Sequence, residues 1–199
     1  MLFRSGGGSL YLIMGILAAV YERQQSGQGQ VVDAAITDGV ISLMAFAHGF
    51  NAMGLWNHER QSNMLDGAAP YYDTYQCADG RWISIGSIEP QFYALLMEKL
   101  GIETEGDASF ATQFDQSQWP ELKSQVADVI SRKTSAEWCD LMEGTDVCFA
   151  PVLSMSEAAE YPHNAARESF VERAGVVQAA PAPRFSRTPG EVGATPAGV

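Results

Sequence analysis

Positive charge is what this sequence has least of. Twelve Lys and Arg stand against 24 Asp and Glu in 199 residues, a formal net charge of −12. A chain this acidic repels nucleic-acid phosphates and anionic lipid, and no basic stripe offsets the repulsion. Neither nucleic acid nor a membrane is expected as a partner. Cysteine is scarce too, limited to Cys77, Cys139 and Cys148. An odd number without paired spacing makes no disulfide scaffold, and there is no CxxC or His/Cys cluster for zinc. Buried thiols in a reducing cytoplasm are the expectation. Long apolar runs are also missing. The stretch Leu10 to Val20 falls short of the ~20 residues that span a bilayer. His48, His58 and His163 lack metal-ligand spacing, and His48, inside an apolar segment, reads as a satisfied core histidine. G-x-S-x-G, Walker A and complete G-x-G-x-x-G patterns are absent, so no metal or nucleotide cofactor is indicated.

What is present is globular: 46% hydrophobic and 18% charged residues, enough to build a core. The charge is unevenly spread. Residues 1–56 carry Arg4 and Arg23 against Glu22, Asp33 and Asp38, a net of −1, and the remainder carries −11. The first quarter therefore reads as surface meant to be covered. Its start has two readings. A positive residue, a short apolar stretch and Ala18-Ala19 resemble a signal peptide, which would make a secreted protein. The glycine run and the lack of a clear A-x-A site favour a buried helix, opened by Gly6-Gly7-Gly8-Ser9 and closed at Ser26-Gly27.

Gln30 to Asp33 predicts a short buried strand, and Ala34 to about Met53 a helix. Asn57 to Pro70 reads as a polar loop. Tyr71–Gln76 and Arg81–Gly86 flank Asp79-Gly80, a tight hairpin signal. Pro90 to Leu100 predicts a helix with Phe92, Leu95, Leu96 and Lys99 on one face, stopped by Gly101. A polar connection over 103–117 leads to helices over Pro120–Lys133 and Ser135–Glu143, the second capped by Ser135. Val147–Leu153 predicts a strand. Ser154 with Glu157 is a capping box for a short helix. Phe170–Val177 reads as an edge strand, and from Ala180 the Pro/Ala/Gly-rich chain is extended. The alternation of helix and strand indicates an α/β protein.

Three features carry candidate chemistry. Glu89 stands where a strand ends and a helix begins, with Pro90 in the first helical turn. A carboxylate there is oriented and accessible, as a general base must be. Equally, acids cap helix starts and stabilise them by ~0.3–1 kcal/mol. Gly6, Gly7 and Gly8 at a helix start offer free N–H groups for a thioester oxygen or enolate, or else permit close helix packing. Met64, Leu65 and Tyr71 line either a groove for a flexible acyl chain or a connector folded onto the hairpin.

Taken together, Gly27-Gln28-Gly29-Gln30-Val31-Val32-Asp33-Ala34, Asn63-Met64-Leu65-Asp66-Gly67, Tyr72-Asp73-Thr74-Tyr75 and Gly86-Ser87-Ile88-Glu89-Pro90-Gln91-Phe92-Tyr93 resemble the α-methylacyl-CoA racemases. So do Trp119-Pro120-Glu121, Ala136-Glu137-Trp138-Cys139 and Gly144-Thr145-Asp146. Those racemases belong to the family III CoA-transferase (CaiB/BaiF) superfamily. The resemblance implies removal and return of the α-proton of a 2-methylacyl-CoA thioester through an enolate. It implies no cofactor beyond the CoA of the substrate, and a homodimer for the full-length family. Glu89 matches a family acid/base. The family Asp that precedes the triple glycine is replaced by Phe3, and none of the three histidines matches the family His. The resemblance therefore implies about the C-terminal half of such an enzyme, inactive or nearly so alone. By this likeness residues 1–56 are a remnant of a Rossmann-like large CoA-binding domain, 57–69 a linker, 70–165 the small α+β domain and 166–199 a C-terminal extended segment. A family III CoA transferase and a non-catalytic acidic module are the alternatives.

Overall fold

A helix can run through glycines as well as through bulkier residues, and here the glycine run lies in one, of π-helical form. The structure, a computed structural model, describes residues 2–102 and 113–193. It divides into two compact units, Met1–Asn63 and Met64–Val199. Each is described by itself.

In the first unit a π-helical segment, Leu2–Leu10, runs directly into helix α1, Tyr11–Ser26. The glycines therefore lie inside a helix rather than at its start. The combined helix Phe3–Ser26 spans 24 residues and contains an 18-residue window of mean hydropathy 1.3, long and apolar enough by length and composition to cross a membrane. Core helices and signal sequences share that property. The expected burial is not seen: no residue of α1 is buried, and Ile13, Met14 and Leu17 are exposed. The apolar, charge-poor surface read from the composition is thus open in this chain.

Helix α2, Ile36–Leu43, packs on the π-helical segment. The contact is backbone on backbone: a Cβ at Gly39 would stand 1.8 Å from the Gly7 carbonyl oxygen, and one at Gly7 2.7 Å from Val40 Cγ2. Helix α3, Ala45–Ala52, follows after Met44, so the single helix expected over 34–53 is two. Met44, at ψ 12, departs from helical geometry without any proline to mark the break. The strand expected at Gln30–Asp33 is irregular chain. A strand needs a ladder partner, none pairs with it among the described residues, and Val31 is 94% exposed. His48 is exposed rather than a core residue.

The second unit is built on a three-stranded antiparallel sheet ordered β1-β2-β3, from Tyr72–Gln76, Trp82–Gly86 and Phe149–Val152. Tyr75 pairs with Ile83 and Ile83 with Pro151; one residue on, Ser84 pairs with Thr74 and Ala150. Side chains alternate across a sheet, so Tyr75, Ile83 and Ile85 face a core while Thr74, Ser84 and Trp82 face outward. Gly80 at φ +77 makes the hairpin turn. Asp79 in that turn accepts from the Ser135 N–H at 3.1 Å, tying the hairpin to a helix start.

Three helices cover the core face: α4, Pro90–Leu100; α5, Trp119–Ile130; and α6, Ser135–Met142. In α4 the buried face is Tyr93, Leu96, Met97 and Leu100, one residue on from the face expected. Thr134, not Ser135, caps α6, in a reciprocal box with Glu137. The polar connection expected over 103–117 falls largely on 103–112, outside the described residues. Short helices α7, Met155–Glu160, and α8, Pro162–Ala166, lead to a hairpin of β4, Phe170–Arg173, and β5, Val176–Ala179. The expected single edge strand is therefore a pair. Ala180 to Gly193 carries no helix or strand.

Gly39→Ala must push α2 off the π-helical segment, a strain of about 1–3 kcal/mol, and α2 amide exchange should accelerate. Gly29→Ala, with nothing within 4 Å of its Cβ, should leave it unchanged. Glu157 is held down to about 2 by hydrogen bonds from the Ser154 N–H and hydroxyl and then by Arg81. A depressed carboxyl stabilises above its unfolded value and loses that contribution as pH falls towards the folded one. Helicity of α7, followed by NMR, should decline between about pH 4.5 and 2, and Glu157→Gln should abolish that pH dependence.

Candidate active site

Strand β2 ends at Gly86, and beyond it the buried backbone loses its strand neighbours. Its polar groups must be satisfied otherwise. The Ser87 N–H donates to the Tyr71 carbonyl at 2.9 Å, and the Ile88 N–H to Gly86 at 2.9 Å. The Ser87 hydroxyl donates to the Val147 carbonyl at 2.5 Å. Gln113 donates from Nε2 to the Ile88 carbonyl at 2.6 Å. The turn is pinned on both sides, and α4 starts from it.

Glu89 is the N-cap residue of α4, with extended backbone at φ −70, ψ 141. Its carbonyl accepts the N–H groups of Phe92 and Tyr93. Its carboxylate makes no cap hydrogen bond and is exposed. The backbone of Glu89 caps the helix and its side chain forms no cap hydrogen bond, so the carboxylate is left open to solvent while its charge still favours the helix start.

On the outward face of the sheet lies a cleft of about 430 Å³ lined by residues including Leu65, Asp66, Gly67, Tyr72, Ser84, Gly86 and Cys148. Lys123 holds its rim, donating to the Gly67 carbonyl and pairing with Asp73. Cys148 lines the cleft and lies within the field of the Glu89 charge. It is exposed, sits at φ +57, an uncommon region for a side-chain-bearing residue, and its carbonyl accepts from Gly86 at 2.9 Å. Burial, then the Glu89 charge, then Asp146 push its thiol up. At neutral pH it is a protonated thiol rather than a nucleophile.

The expected acyl-groove residues separate. Leu65 lines the cleft, and Met64 packs against the core. Tyr71 is 0% exposed, its ring edge-on to Tyr93, Phe114 and Trp119. It is a core residue, and Tyr72 takes the cleft position, because a one-residue step reverses the face. Burial drives the Tyr71 hydroxyl far above its ordinary range. Gly7 and Gly8 are buried in the first unit, where close approach to α2 accounts for them, and Gly6 is half-buried. Of the three thiols expected to be buried, only Cys77 is; Cys139 is half-buried and Cys148 exposed. Sequence reasoning missed Cys148, Lys123 and Gln113. The first had a signal, following Asp146 at a strand start; the other two had none.

Removing the Glu89 charge should lower the pKa of Cys148. Glu89→Gln is expected to speed Cys148 modification by a disulfide reagent near pH 8 severalfold, with Cys77→Ser and Cys139→Ser in the background. An unchanged rate would separate the two side chains.

The model of CoA-transferase family III matches residues 5–198. The chain is 45% identical over 185 residues to the α-methylacyl-CoA racemase of Mus musculus, covering 92% of this chain and 48% of that protein. Against the Homo sapiens racemase the figures are 41% over 184 residues, 92% and 47%. It is 31% identical to the succinyl-CoA–D-citramalate CoA-transferase of Chloroflexus aurantiacus over 189 residues, 92% and 47%. A CaiB/BaiF family protein from Brucella suis superposes with a TM-score of 0.65 at 24% identity, covering 92% of this chain and 48% of that one. The chain spans about half the length of the curated relatives it matches.

Proposed function

The chain belongs to CoA-transferase family III, and from that premise we propose that it carries the Glu89 side of an acyl-CoA racemase active site. The substrate class is a 2-methylacyl-CoA thioester. Its α-C–H is a weak acid, so racemisation needs a base on one face, an acid on the other, and stabilisation of the enolate between them. Glu89 takes the α-proton on its face, breaking the C–H bond and leaving the electron pair in the enolate. It returns a proton there in the reverse direction. The opposed carrier is outside the set assigned to this chain, and the CoA enters with the substrate.

What supports this reading is the Glu89 carboxylate, carried on a pinned turn, free of any cap hydrogen bond, exposed, and three residues past Gly86, which lines the cleft. Leu65 and Tyr72 supply apolar wall for an acyl chain. The racemase is favoured over CoA transfer because identity to the racemase relatives is the higher, 45% and 41% against 31%.

The test is α-proton exchange of a 2-methylacyl-CoA in D₂O, followed by NMR. It uses this chain alone and a hybrid in which residues 5–198 replace the matching half of the mouse racemase. The chain alone should exchange near background and the hybrid well above it. Glu89→Gln should slow the hybrid by about 10²–10⁴-fold, the usual worth of a positioned acid/base. Full exchange in that variant defeats the assignment of Glu89. CoA transfer from succinyl-CoA without α-exchange supports the transferase.

A further inference from the structure

We propose that Gln113 is the positioning residue for Glu89: its buried amide holds the Ser87–Ile88 backbone and so sets where the carboxylate stands. The proposal rests on the reading of Glu89 as a proton carrier.

The need arises from topology. The β1 ladder ends at Tyr72 with Gly86, and the β3 ladder at Phe149 with Ile85. Among the described residues no strand is left to donate to the carbonyls of Ser87 and Ile88. Gln113 Nε2 reaches both, Ile88 at 2.6 Å and Ser87 at 3.4 Å. These are the two carbonyls immediately preceding Glu89, so the amide acts on the peptide planes that aim it.

Burial shows that this is a built arrangement. Ser87 is 0% and Gln113 1% exposed. Gln113 is itself anchored, its own carbonyl accepting from Trp119 Nε1 at 2.9 Å. Its Oε1 is buried with no hydrogen-bond partner among the described residues. An orphaned buried acceptor costs stability. A residue needed only to fill this space would be better apolar, such as Met or Leu, so the amide is there for its donors.

Amide exchange in the full 199-residue chain tests the mechanical part. The reporters are the Phe92 and Tyr93 N–H groups, which donate to the Glu89 carbonyl. The references are the Cys77 and Trp138 N–H groups, which donate to Arg81 and Thr134. Gln113→Met keeps the volume and removes the donors. Phe92 and Tyr93 should exchange about tenfold faster, consistent with loss of one buried hydrogen bond, while the references stay within about twofold. Acceleration of all four together would reduce Gln113 to general core support and overturn the proposal. Gln113→Asn keeps the donors but shortens their reach, and should act the same way with less disturbance of the core.

The racemase–hybrid assay tests the functional part. Gln113→Asn should lower kcat about tenfold with KM within about twofold, since positioning acts on the reacting proton and not on CoA binding. Wild-type kcat in Gln113→Asn, where Glu89→Gln is slow, overturns the proposal and leaves the racemase reading standing. Unaltered exchange in Glu89→Gln defeats that reading instead, and the amide-exchange result then stands for the turn alone.

Discussion

The candidate site depends on one constraint: the chain leaves the sheet at Gly86 while still buried, and its peptide groups must find partners without a strand beside them. Tyr71 and Gln113 answer that need, and the Ser87 hydroxyl adds a bond to the Val147 carbonyl. Because the turn is satisfied by its surroundings, Glu89 caps α4 with backbone alone. Its carboxylate is spared. A functional acid needs a rigid scaffold that does not consume its charge, and this turn supplies one.

The same division of labour runs through the sheet. One face buries Tyr75, Ile83 and Ile85 against three helices, so the short strands are held by packing as well as by their ladder. The other face carries Thr74 and Ser84, and a cleft opens there. Lys123 neutralises Asp73 and grips the Gly67 carbonyl, fixing the rim. Desolvation, then the charges of Glu89 and Asp146, push the Cys148 thiol up. In the first unit the constraint is steric: α2 meets the π-helical segment where Gly39 and Gly7 allow backbones to touch.

Much of the second unit was legible because its signals are local. Asp79-Gly80 marks a turn whose flanking strands alternate, and Ser154 with Glu157 forms the capping box that its spacing announces. Helix α4 begins at Pro90 and stops before Gly101, as the two residue types require. Elsewhere the local signal misled. Gln30–Asp33 has strand composition but no ladder partner, and Tyr71 looks like a groove residue until the strand register turns it inward. His48 and two of the three cysteines have the chemistry of buried residues without the surroundings that would bury them.

The α/β class, the hairpin, four of the five described helices of the second unit and the candidacy of Glu89 are legible in the sequence, whereas Pro162–Ala166 is not. Each rests on periodicity, turn residues or a contiguous motif, which act within a few residues of chain. Packing alone reveals that the Glu89 side chain makes no cap hydrogen bond, that Cys148 lines the cleft and Lys123 holds its rim, and that Gln113 supports the turn. Those facts depend on residues 24 to 59 positions apart in the chain, from Gln113 to Glu89 and from Cys148 to Glu89. A polar connection such as the one holding Gln113 has no period to read. Its role exists only once the Ser87 and Ile88 carbonyls are buried and need a donor.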